Sequence, residues 1–405
     1  MTIAIFTIGT EITRGEIHNT NTGWLAEKLT ENGHLVTEMV SVDDDDQALD
    51  RTLNRLCAHH EIVICTGGLG PTTDDRTRNS AARVAQVNLV KDEDSFCELK
   101  RYLSQKNRPL TPSNKAQVYF PTGSLVLKNH QGTAPGFSLS IKKSQAYFLP
   151  GVPQEMRPLF LESVLPNLPS VQNPLACIRI HTYGLPEAQL SDLLKDLDSV
   201  TIGYRAANSY VEVKVLAHGK DHPSALHSAE KVAQIIEERL GSHAYARDNI
   251  SLPGHVGELL QAQGLSLGLA ESCTGGLVSS LITRLAGASR YYNGAICSYQ
   301  NDVKERLLFV SPETLKKYGA VSQQVAKEMA LGARKALACD ISLALTGIAG
   351  PTGASAEKPV GLVHWAISYK DQLLVKEGVF RGSRKEIQDR AAMAGLWSLR
   401  TALYD

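Results

Sequence analysis

The chain has 405 residues, with Lys+Arg and Asp+Glu balanced at 42 each, 43% hydrophobic residues and 6% aromatic residues. That length predicts roughly two to four domains, each large enough to bury its own core. The balanced charge offers no net field for nucleic acid or an anionic membrane, so any phosphate must be held by local backbone donors and a few placed side chains.

Residues 3–8 are an apolar run that predicts a buried parallel strand. A polar, glycine-containing loop follows, then helical spacing over 22–29, a strand over 35–42 and an amphipathic helix over 47–59. Residues 62–65 predict another short buried strand, which runs straight into TGGLGP (66–71). Strand and helix alternate, so a parallel α/β sheet is expected, with sites at the carboxyl ends of its strands.

Between residues 100 and 150, prolines punctuate short apolar pieces. From 177 to 241 the pattern reads strand, helix (186–198), strand pair (200–217) and helix (223–240), a small α+β unit with no cluster of catalytic residue types. A loop over 242–253 leads to a third segment. There the spacing predicts a strand over 265–270, helix 273–285, strand 294–299, helix 322–338, strand 341–346, two strands within 360–381 and helix 384–403. The expected domains are 1–168, 169–247 and 248–405.

The seven cysteines (57, 65, 97, 177, 273, 297, 339) include no CxxC pair, which predicts reduced thiols rather than a disulfide framework or a structural zinc site. The start of the chain carries no basic leader, and no stretch approaches the roughly 20 apolar residues of a membrane span. A cytoplasmic protein without a membrane partner is therefore expected. The DDDD run at 43–46 reads as a helix N-cap with a solvated first turn rather than as a metal site. His59 and His60 read as a helix C-terminal cap.

The most informative stretch is LAESCTGG (269–276), at the end of an apolar strand and the start of a helix. A small nucleophile there sits on a sharp turn, where the N–H groups of the next helix can stabilise an oxyanion. Ser272 and Cys273 are both candidates. A cysteine would want a histidine, and none lies in the local motifs, whereas a serine can work with a lysine base. Such a lysine, Lys304, closes the stretch AICSYQNDVK (295–304), in which Tyr299 and Lys304 could face one site. A lysine serves as a base only where desolvation or nearby positive charge lowers its pKa. The third piece, LTGIAGPTG (345–353), again follows a strand, and its glycines allow backbone to approach phosphate.

Three such loops within one segment make 250–405 resemble the CinA C-terminal domain, the nicotinamide mononucleotide deamidase family. The shared motifs are AESCTGG, the SYxNxxK-like stretch 298–304, GAVS (319–322), TGIAGP and EKPVG (357–361). The resemblance implies a Ser/Lys amidohydrolase with Ser272 as nucleophile, Lys304 as base and Tyr299 as its assistant. It implies a substrate pocket from Glu271, Cys273, Thr274, Gly275, Gly276, Thr346, Gly347 and Gly350, and no cofactor. Where the family usually has a glycine-rich tract, this chain reads TGASAE (352–357).

At the front, GTEITRGEIHNTN (9–21) and TGGLGPTTDD (66–75) follow predicted strands, and GVPQEM occupies 151–156. These motifs resemble the molybdenum-cofactor-biosynthesis-like domain at the N-terminus of CinA proteins. That resemblance implies a three-layer, molybdopterin-binding-like parallel sheet and metal-dependent hydrolysis of ADP-ribose. The implied site comprises Glu11, Asn19, Asn21, Thr66, Gly67, Gly68, Gly70 and Thr72, with Asp74 and Asp75 on a divalent metal ion. Related loops bind molybdopterin instead. The middle segment takes the position of the CinA linking domain, which separates the ends or helps form a homodimer. The competing expectation is a non-catalytic partner protein in competence or the damage response.

Overall fold

The computed structural model describes residues 1–170, 173–207 and 210–404. Its contacts gather the three expected segments into two compact units, Met1–Cys177 with Ala217–Ser228 and Ile178–Leu216 with Ala229–Asp405. No helix among the described residues is long and apolar enough to cross a membrane.

The first unit contains β1 (Ile3–Ile8), β2 (Val36–Val42), β3 (Ile62–Thr66), β4 (Leu89–Lys91), β5 (Tyr119–Pro121), β6 (Leu125–Leu127), β7 (Gly136–Ile141) and β8 (Ser144–Leu149). Six of these form a sheet in the order β2-β1-β3-β8-β7-β6. The expectation of a parallel sheet holds for β2-β1-β3-β8, whereas β7 and β6 run antiparallel. A tight turn joins β7 to β8, and a connection that short permits only an antiparallel pair.

Every residue of β1 is buried. Ile3 and Ile5 face Leu25 and Leu29, while Ala4, Phe6 and Ile8 join Leu49, Leu53 and Leu56. Helices therefore cover both faces, which is why the strand reads as a continuous apolar run instead of alternating. The helix Asp46–His59 begins where the acidic run predicts, with Asp45 accepting from the Ala48 N–H. Asp44, however, accepts from both N–H and Oγ1 of Thr10, so it pins the first loop rather than facing water. His60 caps the helix and is fixed between Thr37 and Glu38.

The middle sheet has the order β10-β11-β9-β12, from β9 (Leu175–Thr182), β10 (Thr201–Ala206), β11 (Val211–His218) and β12 (Ala244–Arg247). Its expected helix 186–198 is confined to Glu187–Leu194.

The C-terminal sheet is ordered β14-β13-β15-β16-β17, from β13 (Leu267–Glu271), β14 (Tyr292–Cys297), β15 (Ile341–Gly347), β16 (Leu362–Tyr369) and β17 (Gln372–Val379). β13 lies parallel between β14 and β15, and the last two strands are antiparallel. One face buries Leu269, Leu343, Leu345 and Trp365 with the long helix Arg384–Tyr404. The other face is lined by Ala270, Ala344 and Ala366, small residues that let the helix Gln323–Ala336 lie close. Gly332 of that helix meets the segment before it so tightly that a Cβ would stand 1.9 Å from the Leu308 carbonyl oxygen.

Gly332→Ala should therefore destabilise the C-terminal unit by about 1–3 kcal/mol through overpacking, despite the better helix propensity of alanine. A lower urea midpoint for the transition reported by Trp365 and Trp397 would show it; an unchanged or higher midpoint would mean that the segment ending at Leu308 yields easily.

Candidate active site

Because β13 runs parallel to both neighbours, three carboxyl ends meet at one edge of the sheet. Glu271 pairs with Cys297 on one side and with Leu345 on the other. The ladder continues one step further: the Ser272 N–H donates to Leu345 O at 3.0 Å, and the Ser298 N–H donates to Glu271 O at 2.8 Å. Ser272 is thereby held beside the start of the segment that leads into the helix carrying Lys304.

Lys304 lies in the first turns of the helix Asn301–Leu308 and is 1% exposed. Its Nζ is 3.1 Å from Ser272 Oγ, 2.6 Å from Ser298 O and 3.5 Å from Tyr299 O. No carboxylate pairs with it among the described residues. Burial pulls the Lys304 pKa below its ordinary value, opposed by the weaker influence of the Cys273 thiol. In the neutral amine, two N–H groups serve the two carbonyls and the lone pair is left for the serine hydroxyl.

The adjacent candidates now separate. Cys273 is buried in the apolar core, and burial pushes its thiol up to about 12, which disfavours the thiolate. Ser272 is the one with a base in contact.

Several predicted site residues have other work. Glu271 is 0% exposed, and its carboxylate accepts from the N–H groups of Gly276, Val278 and Ser279. It caps a helix rather than lining a substrate surface, and it occupies N–H groups that the sequence reading offered to an oxyanion. That helix is Leu277–Thr283, not 273–285, because Gly275 and Gly276 adopt φ of +63° and +97°. The stretch 272–276 is thus a turn that lifts Ser272 from the helix. Thr346 Oγ1 donates to Ala320 O at 2.8 Å and ties GAVS to the end of β15. Gly347 and Gly350 both sit where a Cβ would collide, with Leu362 O at 2.7 Å and Val360 Cγ1 at 2.6 Å respectively.

Tyr299 departs furthest from expectation. It is 60% exposed, and its hydroxyl meets Arg384 Nη2 at 2.8 Å rather than Lys304. Arg384 Nη1 also donates to Gly350 O at 2.6 Å, so one guanidinium joins two site loops. Gln388, one turn on, donates to Cys273 O at 2.7 Å. These partners lie 34, 85 and 115 positions away along the chain, and nothing local in the sequence marks Arg384 or Gln388. Thr274 Oγ1 and Ser298 Oγ are buried without partners among the described residues.

The first unit has its own cavity of about 580 Å³. All ten predicted N-terminal residues border it. Thr66 Oγ1 donates to Pro150 O at 2.8 Å, and Asn21 Nδ2 donates to Gly151 O at 2.7 Å, so both bind loops together. Asn19 caps the helix Thr20–Glu31. Asp75 accepts from the N–H groups of Gly70 and Thr72 and from the Thr72 hydroxyl, so both its oxygens are taken within the loop. Arg78, which the sequence reading passed over, is buried and donates to Leu69 O and Gly70 O, fixing the same loop from behind. Gly67 and Gly68 take φ of +109° and +67°. The N–H groups of Gly68 and Leu69 have no acceptor among the described residues. No three His, Cys, Asp or Glu side chains among the described residues are gathered as a ready metal site.

Fold and site together define a mixed α/β protein with a molybdopterin-binding-type domain in front and a Ser/Lys-bearing domain behind. Family models agree, segment by segment: the probable molybdopterin binding domain matches 4–170, the damage-inducible protein CinA KH domain 179–246, and the CinA C-terminal domain 249–403. The CinA-like protein of Geobacter metallireducens is 37% identical over 410 residues, covering 100% of this chain and 99% of its own. The CinA-like protein of Kosmotoga olearia is 37% identical over 408 residues, covering 100% and 99%. A solved competence damage-inducible protein A from Klebsiella pneumoniae is 31% identical, covering 38% of this chain and 95% of its own, with a TM-score of 0.37. The chain belongs to the CinA family.

Thiol chemistry checks the environment of the site. Cys97 and Cys297 are exposed, whereas Cys273 is buried with a raised pKa. Ellman's reagent should modify the first two quickly and Cys273 only after unfolding, as located by peptide mass spectrometry; rapid native labelling of Cys273 would restore it as a rival nucleophile.

Proposed function

We propose that the C-terminal domain is a Ser/Lys amidohydrolase that converts nicotinamide mononucleotide to nicotinic acid mononucleotide and ammonia. The observation that carries this reading is the contact of 3.1 Å between Ser272 Oγ and the buried, carboxylate-free Nζ of Lys304. Lys304 takes the hydroxyl proton as Ser272 Oγ attacks the carboxamide carbon. The C–N bond breaks, and the same proton leaves with the amine as ammonia. Water then attacks the acyl-enzyme, again losing a proton to Lys304, which returns it to Ser272 as the acid is released. Arg384 ties Tyr299 to the Gly350 loop, and in this reading these groups meet the rest of the nucleotide. The reaction as drawn uses no metal.

Ser272→Ala should lower ammonia release by roughly a thousandfold or more without unfolding the chain. Lys304→Arg should be similarly inactive, because a guanidinium stays protonated. The wild-type rate should rise with pH along a limb centred below 10.5, the ordinary lysine value, since deprotonation creates the active amine and burial favours it. Coupled glutamate dehydrogenase reports the ammonia. Absence of any release from the wild type would bring forward the reading of a binding partner in competence or the damage response.

A second reading concerns the front domain, which we propose hydrolyses a nucleotide diphosphate such as ADP-ribose. Its cavity is bordered by five carboxylates, Glu11, Asp44, Asp74, Asp75 and Glu155, and by no Lys or Arg among the described residues. A diphosphate enters such a pocket only with a divalent cation to offset the repulsion. Glu11 and Asp74 fit that role, because each has carboxylate oxygen free of protein donors, whereas Asp75 does not. The cation supplies charge neutralisation at the diphosphate, and the free Gly68 and Leu69 N–H groups take phosphate oxygens. EDTA should abolish ADP-ribose cleavage and spare ammonia release, and Ser272→Ala should do the reverse. Loss of both activities under either treatment would contradict two independent sites.

A further inference from the structure

The front cavity contains two buried carboxamides that diphosphate chemistry does not use. Gln117 is 0% exposed yet borders the cavity. Its Nε2 donates to Thr133 Oγ1 at 3.3 Å, and its Oε1 has no partner among the described residues. Asn21 repeats the pattern from another wall. Its Nδ2 donates to Gly151 O at 2.7 Å and to Thr66 Oγ1 at 3.3 Å. Thr66 gives its own proton to Pro150 O, so this network fixes the carboxamide's orientation and leaves Asn21 Oδ1 an unpaired acceptor. A buried amide oxygen without a donor is costly, and one on a residue that borders a cavity can be satisfied by a donor bound there.

The other groups sharpen what that donor must be. Carboxylates crowd the cavity and no Lys or Arg borders it among the described residues, so away from the Gly68–Leu69 N–H groups the wall mostly accepts hydrogen bonds. Ile17 and Val152 also border the cavity while being 51% and 52% exposed. Exposed apolar side chains beside buried acceptors suit a flat ring with N–H groups on its edge.

We propose that Gln117 reads the exocyclic amine of a purine base, making the front domain selective for an adenine nucleotide over its hypoxanthine counterpart. This rests on the diphosphate reading above and names the far end of the same ligand. The amine donates to Gln117 Oε1, and hypoxanthine presents a carbonyl there, oxygen against oxygen. A site whose buried acceptor loses its donor rejects the wrong ligand far more strongly than an apolar pocket does.

The experiment compares cleavage of ADP-ribose, inosine diphosphate ribose and 2′-deoxy-ADP-ribose by the full chain and by Gln117→Leu and Gln117→Glu. The wild type should favour the adenine over the hypoxanthine substrate by about tenfold or more in kcat/KM. Gln117→Leu should bring that ratio to within about twofold, and Gln117→Glu, which keeps an acceptor, should retain it. A wild type indifferent to the amine overturns the proposal. So does a Gln117→Leu variant that changes only the response to the missing hydroxyl, which would assign Gln117 to ribose. If the wild type cleaves none of the three, the diphosphate reading has failed, and calorimetric titration with AMP and IMP decides the subsite alone. An AMP preference that Gln117→Leu erases sustains it, whereas equal binding, or none, overturns it.

Discussion

The Ser272–Lys304 contact exists because one strand is paired in parallel on both sides. β13 cannot slip against β14 or β15 without breaking the N–H bonds of Ser272 and Ser298 to Leu345 O and Glu271 O. A slip of one residue would also send its leucines to the alanine face. Register thus couples core packing to the site: Leu267 and Leu269 lie in one hydrophobic cluster and Ala270 in another. Ser272 follows that strand by a single residue and Lys304 reaches it from the helix after the neighbouring strand, so the register of the sheet sets where the two meet.

The two ends of the chain use the same architecture with opposite electrostatics. In each, glycine-bearing loops leave the carboxyl ends of parallel strands and open a site there, as open α/β sheets do. At the back the site is organised around a buried amine with no counter-ion among the described residues. At the front it is acid-rich, and the Gly67–Gly68 turn borders the same cavity. A neutral overall charge conceals both, because net charge reports an average and each site depends on local imbalance.

How much of this was legible in sequence depended on distance along the chain. Buried runs such as 3–8, 62–65 and 341–346 announced parallel strands, because a strand covered on both faces needs no polar alternation. The Ser272, Tyr299 and Lys304 motifs marked the right edge of the sheet. What Tyr299 does was not legible, since its hydroxyl answers to Arg384 from the last helix. Gln117 was hidden for a similar reason: it follows a short helix in a proline-rich stretch, and only the folded chain brings it to Thr133 and the cavity. The start of the helix at Leu277 was misjudged because SCTGG fits a helix cap and a turn equally well, and the positive φ of two glycines decides between them. Nor does TTDD show in sequence that the Asp75 oxygens accept from Gly70 and Thr72 of its own loop.

The arrangement around Glu271 explains how a buried acid and a buried amine coexist at one edge of the sheet. A carboxylate free to reach Lys304 would stabilise the ammonium and remove the base. Glu271 is prevented from doing so by three N–H groups of the following helix, whose dipole favours a negative charge at that end. Lys304 is left with two carbonyls and a hydroxyl, partners that orient an amine but offset little of the cost of burying its charge. By holding the acid to the helix, the cap leaves desolvation as the dominant influence on the Lys304 amine.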